Sequence, residues 1–194
     1  IYALRRTGSN SSALLTEAAM RGDAWACVEL ARSYANATDG LALDKELAKR
    51  WYEKALECKM AALAISQKFG HRDDEYNLLG SIGLIYSGVG QHEKEIEYLT
   101  SALTAIRVIL NETRGGDLMA REAEMRTLAN LGSAYDKSGQ KEKAIEYRTS
   151  ALEISRKLGN RAVEASIVSS LGSMYSSSGQ HEKAIEPKMR ALAI

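Results

Sequence analysis

One segment of this chain is written three times. It reads SIGLIYSGVGQHEKEIEYLTSALTAI from Ser81 to Ile106, NLGSAYDKSGQKEKAIEYRTSALEISRKLGN from Asn130 to Asn160, and SLGSMYSSSGQHEKAIEPKMRALAI from Ser170 to Ile194. The glycine of the Gly-Gln pair marks the register at Gly90, Gly139 and Gly179, steps of 49 and then 40 residues. A unit returning at that distance predicts a stack of small units, each buried only against its neighbours, in place of one globular core.

Each unit reads as two helices around a tight turn. Met125, Leu128, Leu131 and Tyr135 share one face of the first helix, and Ala144, Ile145, Ala151, Leu152 and Leu158 one face of the second. Between them Ser138-Gly139-Gln140 supplies a residue that takes positive φ without steric cost. Gly132 lies inside the first helix, where glycine costs about 1 kcal/mol against Ala. Its recurrence as Gly83 and Gly172 predicts a close helix contact with no room for a Cβ. Ala151, with Ala102 and Ala191 in the same slot, is expected on the other side of it.

Leu131-Gly132, Tyr135, Gly139, Ala144, Tyr147 and Ala151 resemble the tetratricopeptide repeat. That family has a period of about 34 residues with small residues at these offsets. The step of 40 and the missing closing Pro depart from it, and such long units are similar to those of the Leu-Gly-Asn repeat adaptors and, less closely, of kinesin light chains. The resemblance spans roughly Ala55 to Ile194. It implies an all-α fold, a right-handed α-solenoid of antiparallel helix pairs. Ala18, Gly22, Ala24, Leu30, Tyr34, Gly40, Asp44, Ala48, Trp51, Tyr52 and Ala55 resemble a Sel-like repeat, a relative of that unit.

In chain order, Ser11 or Ser12 is placed to cap a helix ending at Met20. Ala24 to Tyr34 is a second periodic stretch, broken at Asp39-Gly40. Asp44 is placed to cap one long helix reaching about Phe69. The units then run 1–22 (N-terminal segment and first helix), 23–70 (Sel-like hybrid), 71–110, an inserted loop 111–119, 120–160, and a truncated unit 161–194. The 49-residue step implies nine inserted residues, expected near NETRGGD, Asn111 to Asp117, with Gly115-Gly116 breaking helix. Pro187 stands where Tyr147 stands one unit earlier and is expected to kink the last helix. The chain begins at Ile1 without Met and ends within a helical pattern, so it reads as a segment of something longer.

Composition excludes several classes. Net charge is +1, from 26 basic and 25 acidic side chains, and gives no footprint for nucleic acid or an acidic membrane. No apolar run reaches the length of a membrane span. Cys27 and Cys58 sit among apolar helical neighbours and read as buried free thiols, which fits a reducing, cytoplasmic setting. There is no Cys-x-x-Cys, and His-Glu at 92–93 and 181–182 lacks the second His of a zinc helix, so no metal or cofactor is expected. His71-Arg72-Asp73 resembles a kinase catalytic loop, but Asn77 is one residue too near and no Asp-Phe-Gly follows. It reads as an inter-repeat corner equivalent to Asn160-Arg161. No nucleophile is paired with a base, and the chain is not expected to be an enzyme.

Binding remains. The resemblance implies a concave groove lined by first helices and holding an extended partner peptide. The family's offsets place Asn77 and Ser81 there in one unit, Arg126, Asn130, Ser133, Asp136 and Lys137 in the next, and Ser170, Ser173 and Ser177 in the last. Asn130 is the strongest single position, because an amide both donates to and accepts from a peptide backbone. The family's clamp for a chaperone C-terminal carboxylate needs Lys and Asn where Gly80 and Leu84 stand, Asn at Asn130, and Lys and Arg where Ser166 and Ser170 stand; only the middle Asn is present, so that ligand is disfavoured. The expected role is a non-catalytic scaffold or adaptor for a protein segment. Its rivals are a structural spacer in a large assembly and the regulatory array of an enzyme whose catalytic domain lies elsewhere.

Overall fold

The computed structural model describes residues 11–38 and 41–177. Among them are eight helices and no strand: α1 (Ser11–Met20), α2 (Ala24–Asn36), α3 (Lys45–Phe69), α4 (Arg72–Gly88), α5 (His92–Glu112), α6 (Leu118–Lys137), α7 (Lys141–Lys157) and α8 (Arg161–Ser177). The chain divides into two compact units, 1–91 and 92–194. The Asp39-Gly40 break and the kink at Pro187 lie outside the described residues.

Helix ends follow local chemistry. Asp44 caps α3, its Oδ1 accepting from Leu47 N at 2.9 Å. The helix then runs 25 residues to Phe69, as the pattern predicts, or about 37 Å at 1.5 Å per residue. Asp23 caps α2 by accepting from Trp25 N and Ala26 N, a cap the sequence reading had not singled out. Gly90 and Gly139, the register glycines, take φ of +74° and +81°, and Gly139 turns the chain between the packed helices α6 and α7.

In the first unit α1, α2, α3 and α4 pack in sequence. Their shared core holds Ala19, Ala26, Cys27, Leu30, Ala31, Tyr52, Ala55 and Ile85. In the second, α5 to α8 pack in the same manner around Leu99, Leu103, Leu128, Leu131, Ala134, Ala151, Leu152, Ile167, Val168 and Leu171. Short connections between neighbouring helices make each pair antiparallel. Alanine and cysteine make up most of the first core, whereas Leu, Ile and Val dominate the second. A Cβ on Gly132 would lie 2.5 Å from Arg148 Cγ and 3.1 Å from the Ala144 carbonyl oxygen. The close contact is therefore present, but Arg148 and Ala144 form its far side where Ala151 was expected. Tyr135 and Tyr147 stack beside it, ring centroids 5.1 Å apart and planes 10° from parallel.

The second helix of one repeat is tied to the first helix of the next by the same two slots each time. Gln67 Nε2 donates to Glu75 Oε1 at 3.1 Å, Arg107 Nε meets Glu124 Oε1 at 3.4 Å, and Arg156 Nε donates to Glu164 Oε1 at 2.9 Å. Ser66 and Ser155 are buried in equivalent corner positions, with Ile106 in that slot between them. His71 sits at one of these corners, immediately before α4.

The nine extra residues differ from the loop expected over 111–119. Asn111 and Glu112 belong to α5, and Leu118 and Met119 to α6. Against the 17 residues of α7 and of α8, α5 has 21 and α6 has 20. Most of the insertion thus extends helices, and the connection itself is only 113–117. Within it Arg114 takes φ +52° and Gly115 +77°, and Asp117 then caps α6 by accepting from Ala120 N at 2.9 Å. Cys27 is buried, whereas Cys58, expected to be so, is half-exposed; both are free thiols.

Candidate functional site

The first helices present the positions in question, and their roles diverge once side-chain partners are considered. Asn77 and Ser81 lie one turn apart on α4. They share a cleft of about 410 Å³ with Lys59, Ile65, His71 and Asp74. Asn77 Nδ2 donates back to the Asp73 carbonyl at 2.7 Å. Its carbonyl oxygen faces a cleft that also holds the 60% exposed Ile65.

In the second unit Arg126 and Asn130 lie one turn apart on α6. Arg126 is exposed and Asn130 half-buried. Neither side chain has a hydrogen-bond or ion-pair partner among the described residues. A half-buried amide with its donor and acceptor both uncommitted is suited to gripping a peptide backbone.

One turn further on the same helix the situation reverses. Arg148, from α7, lies across α6 at Gly132 and sends Nη2 to Ser133 Oγ at 3.3 Å and to Asp136 Oδ2 at 3.9 Å. Its side chain is only 11% exposed, and burial holds the guanidinium pKa below its ordinary value, partly countered by Asp136. Ser133 and Asp136 are therefore engaged within the repeat. Lys137 is likewise drawn inward, its Nζ 4.0 Å from Oε1 of the buried Glu95. Glu95 also accepts His92 Nδ1 at 3.0 Å, so His92 is a partly buried anchor. Glu95 occupies the small-residue slot that Ala144 fills one repeat later, which is the signal that could have exposed it. Nothing in the repeat pattern marks Arg148, because Leu99 and Lys188 stand near that place in the other copies.

Serines of α8 commit their protons to their own helix. Ser170 Oγ donates to the Ser166 carbonyl at 3.0 Å, Ser173 to Ser169 at 3.2 Å, and Ser177 to Met174 at 2.9 Å. Ser81 does the same to Asn77 at 2.8 Å. Such back-bonded hydroxyls keep only acceptor capacity for a ligand. Among the described residues no three His, Cys, Asp or Glu side chains gather as metal ligands, and no helix is long and apolar enough to cross a membrane.

Two tetratricopeptide repeat models match the chain, one over residues 123–194 and one over 76–107, together more than half of it. Both matches begin after the Sel-like stretch. Solved structures share the fold. BtubC (BKLC) from P. vanneervenii is 22% identical, with a TM-score of 0.64 over 96% of this chain and 72% of that one. A Podosopora anserina kinesin light chain with nearly identical repeats is 19% identical, with a TM-score of 0.62 over 99% of this chain and 91% of that one. A Rap protein in complex with Competence and Sporulation Factor is 19% identical, with a TM-score of 0.60 over 88% of this chain; the chain spans only 42% of its length. No curated protein matches the chain in sequence.

Proposed function

Because the chain belongs to the tetratricopeptide repeat family, we propose that it is a non-catalytic scaffold holding an extended segment of a partner protein against α6. Uncommitted polar groups at Asn130 and Arg126 carry this reading. A peptide strand arriving with unpaired backbone groups can satisfy them at Asn130 without any sequence requirement. Arg126 adds a fixed positive charge that favours an acidic residue in the strand. Ser133, Asp136 and Lys137 serve to shape this wall through Arg148 and Glu95 and do not contact the partner directly. Asn77 and Ser81 hold partner atoms in the α3–α4 cleft. Ser170, Ser173 and Ser177 accept hydrogen bonds from it.

The test is retention of co-purifying protein by the wild type and by Arg126→Ala/Asn130→Ala, with folding checked by circular dichroism. Loss of the retained species in the double variant is expected. Full retention by a folded double variant rejects α6 as the binding wall. One observation favours a second reading, a docking subunit that uses its second helices. Phe69 on α3 is 65% exposed and lies outside the α3–α4 cleft, and in that case Phe69→Ser would release the partner while the α6 variant kept it.

A further inference from the structure

The lengthened corner between α5 and α6 encloses a feature that peptide holding on α6 does not use. A cleft of about 470 Å³ opens there, lined by Arg107, Asn111, Arg114, Arg121 and Glu124 among others. Glu124 is the single acid in the lining, with 9% of its side chain exposed, and it meets Arg107 Nε at 3.4 Å and Arg121 Nη1 at 3.0 Å. One carboxylate thus fixes two guanidinium groups, whose remaining N–H donors have no partner among the described residues. Arg114 is exposed and has no carboxylate partner among the described residues. It also stands at φ +52°, a conformation that Asn or Gly adopts with less strain. A corner shaped only to turn the chain has no use for Arg at that position.

We propose that this cleft binds a dianionic phosphate monoester. Three guanidinium groups against one carboxylate leave an excess of two positive charges. A phosphate monoester carries about −1.5 to −2 at neutral pH, whereas a carboxylate would leave half of that excess unmatched. The planar guanidinium fork pairs bidentately with phosphate oxygens, and Arg107 and Arg121 are already oriented by Glu124. Two sources supply this chemistry, a phosphorylated side chain of a partner segment and a small free phosphate. Leu118 and Met119, exposed at the start of α6, would add contacts for residues flanking a phosphorylated side chain and none for the free anion.

Isothermal titration of the intact chain tests it at constant ionic strength. The probes are inorganic phosphate, an alanine-phosphoserine-alanine tripeptide and acetate. Both phosphate probes should bind at least about tenfold tighter than acetate, a factor within reach of two added charge-assisted hydrogen bonds. Arg114→Asn suits the local φ and should weaken phosphate binding about tenfold or more while the melting temperature holds or rises. Arg121→Gln should weaken it too, and Arg161→Gln, in the equivalent slot of the next repeat, should not. A tripeptide tighter than inorganic phosphate assigns the phosphorylated side chain as the source, and equal affinities assign a small phosphate. Equal binding of acetate and phosphate, full affinity in folded Arg114→Asn, or equal loss in Arg161→Gln would each overturn the proposal. The outcome is independent of the α6 capture experiment, because neither Arg126 nor Asn130 lines this cleft.

Discussion

At Gly132 one hydrogen atom in place of a methyl group sets the distance between α6 and α7. Adding a Cβ there forces the stem of Arg148 aside and presses on the backbone oxygen of Ala144. Overpacking costs about 1–3 kcal/mol, and replacing a helical glycine returns up to about 1 kcal/mol. Gly132→Ala should therefore lose about 1–2 kcal/mol net in urea denaturation. Gly80, inside α4, has nothing within 4 Å of its Cβ position, so Gly80→Ala should gain up to about 1 kcal/mol. Equal effects at the two sites would refute the close-contact account. A second residue-scale expectation concerns alkali. Burial raises the Cys27 thiol above its ordinary 9.0, and burial raises Tyr52 and Tyr147 above 10.0. The unfolded chain then ionises first as pH rises. The stability these groups contribute is fully present below about pH 9 and is lost progressively above it. The urea midpoint should fall through that window, and Cys27→Ala should delay the onset of the fall; an onset unchanged by that substitution would contradict the assignment.

At the scale of helices, the repeated corner recurs at fixed positions in the sequence. Gln67–Glu75, Arg107–Glu124 and Arg156–Glu164 occupy matching slots. The second of these is kept even though nine residues intervene. Exposed ion pairs contribute about 0.2–1 kcal/mol. A double-mutant cycle on Arg156 and Glu164, read by chemical denaturation, should return a coupling within that range, and zero coupling would reduce the corner to coincidence. The long α3, its Asp44 cap and the positive-φ register glycines were legible because each is dictated by a few neighbouring residues. The insertion was legible in length but not in form. Counting residues fixes nine, whereas their division between helix and turn depends on where Asp117 finds a cap and where Arg114 and Gly115 leave helical φ. Among the groove positions, offsets identified which face a side chain leaves from. They could not show that Arg148, from another helix, would occupy Ser133 and Asp136, or that Glu95 would draw in Lys137, since those contacts join residues with no shared period.

For the molecule as a whole, the physical argument is that helices buried only against sequence neighbours leave their remaining faces for other molecules. Each unit has its own core, and among the described residues Arg126 and Asn130 on α6 and Arg114 at the α5–α6 corner are polar groups without a side-chain partner. The most direct measurement places a photo-crosslinking amino acid at position 126 or 130 and, separately, at the exposed positions 146 and 153 of α7. Crosslinks to a partner from α6 and none from α7 are the predicted result. Crosslinks from α7 alone, with α6 silent, would contradict the scaffold's proposed binding wall.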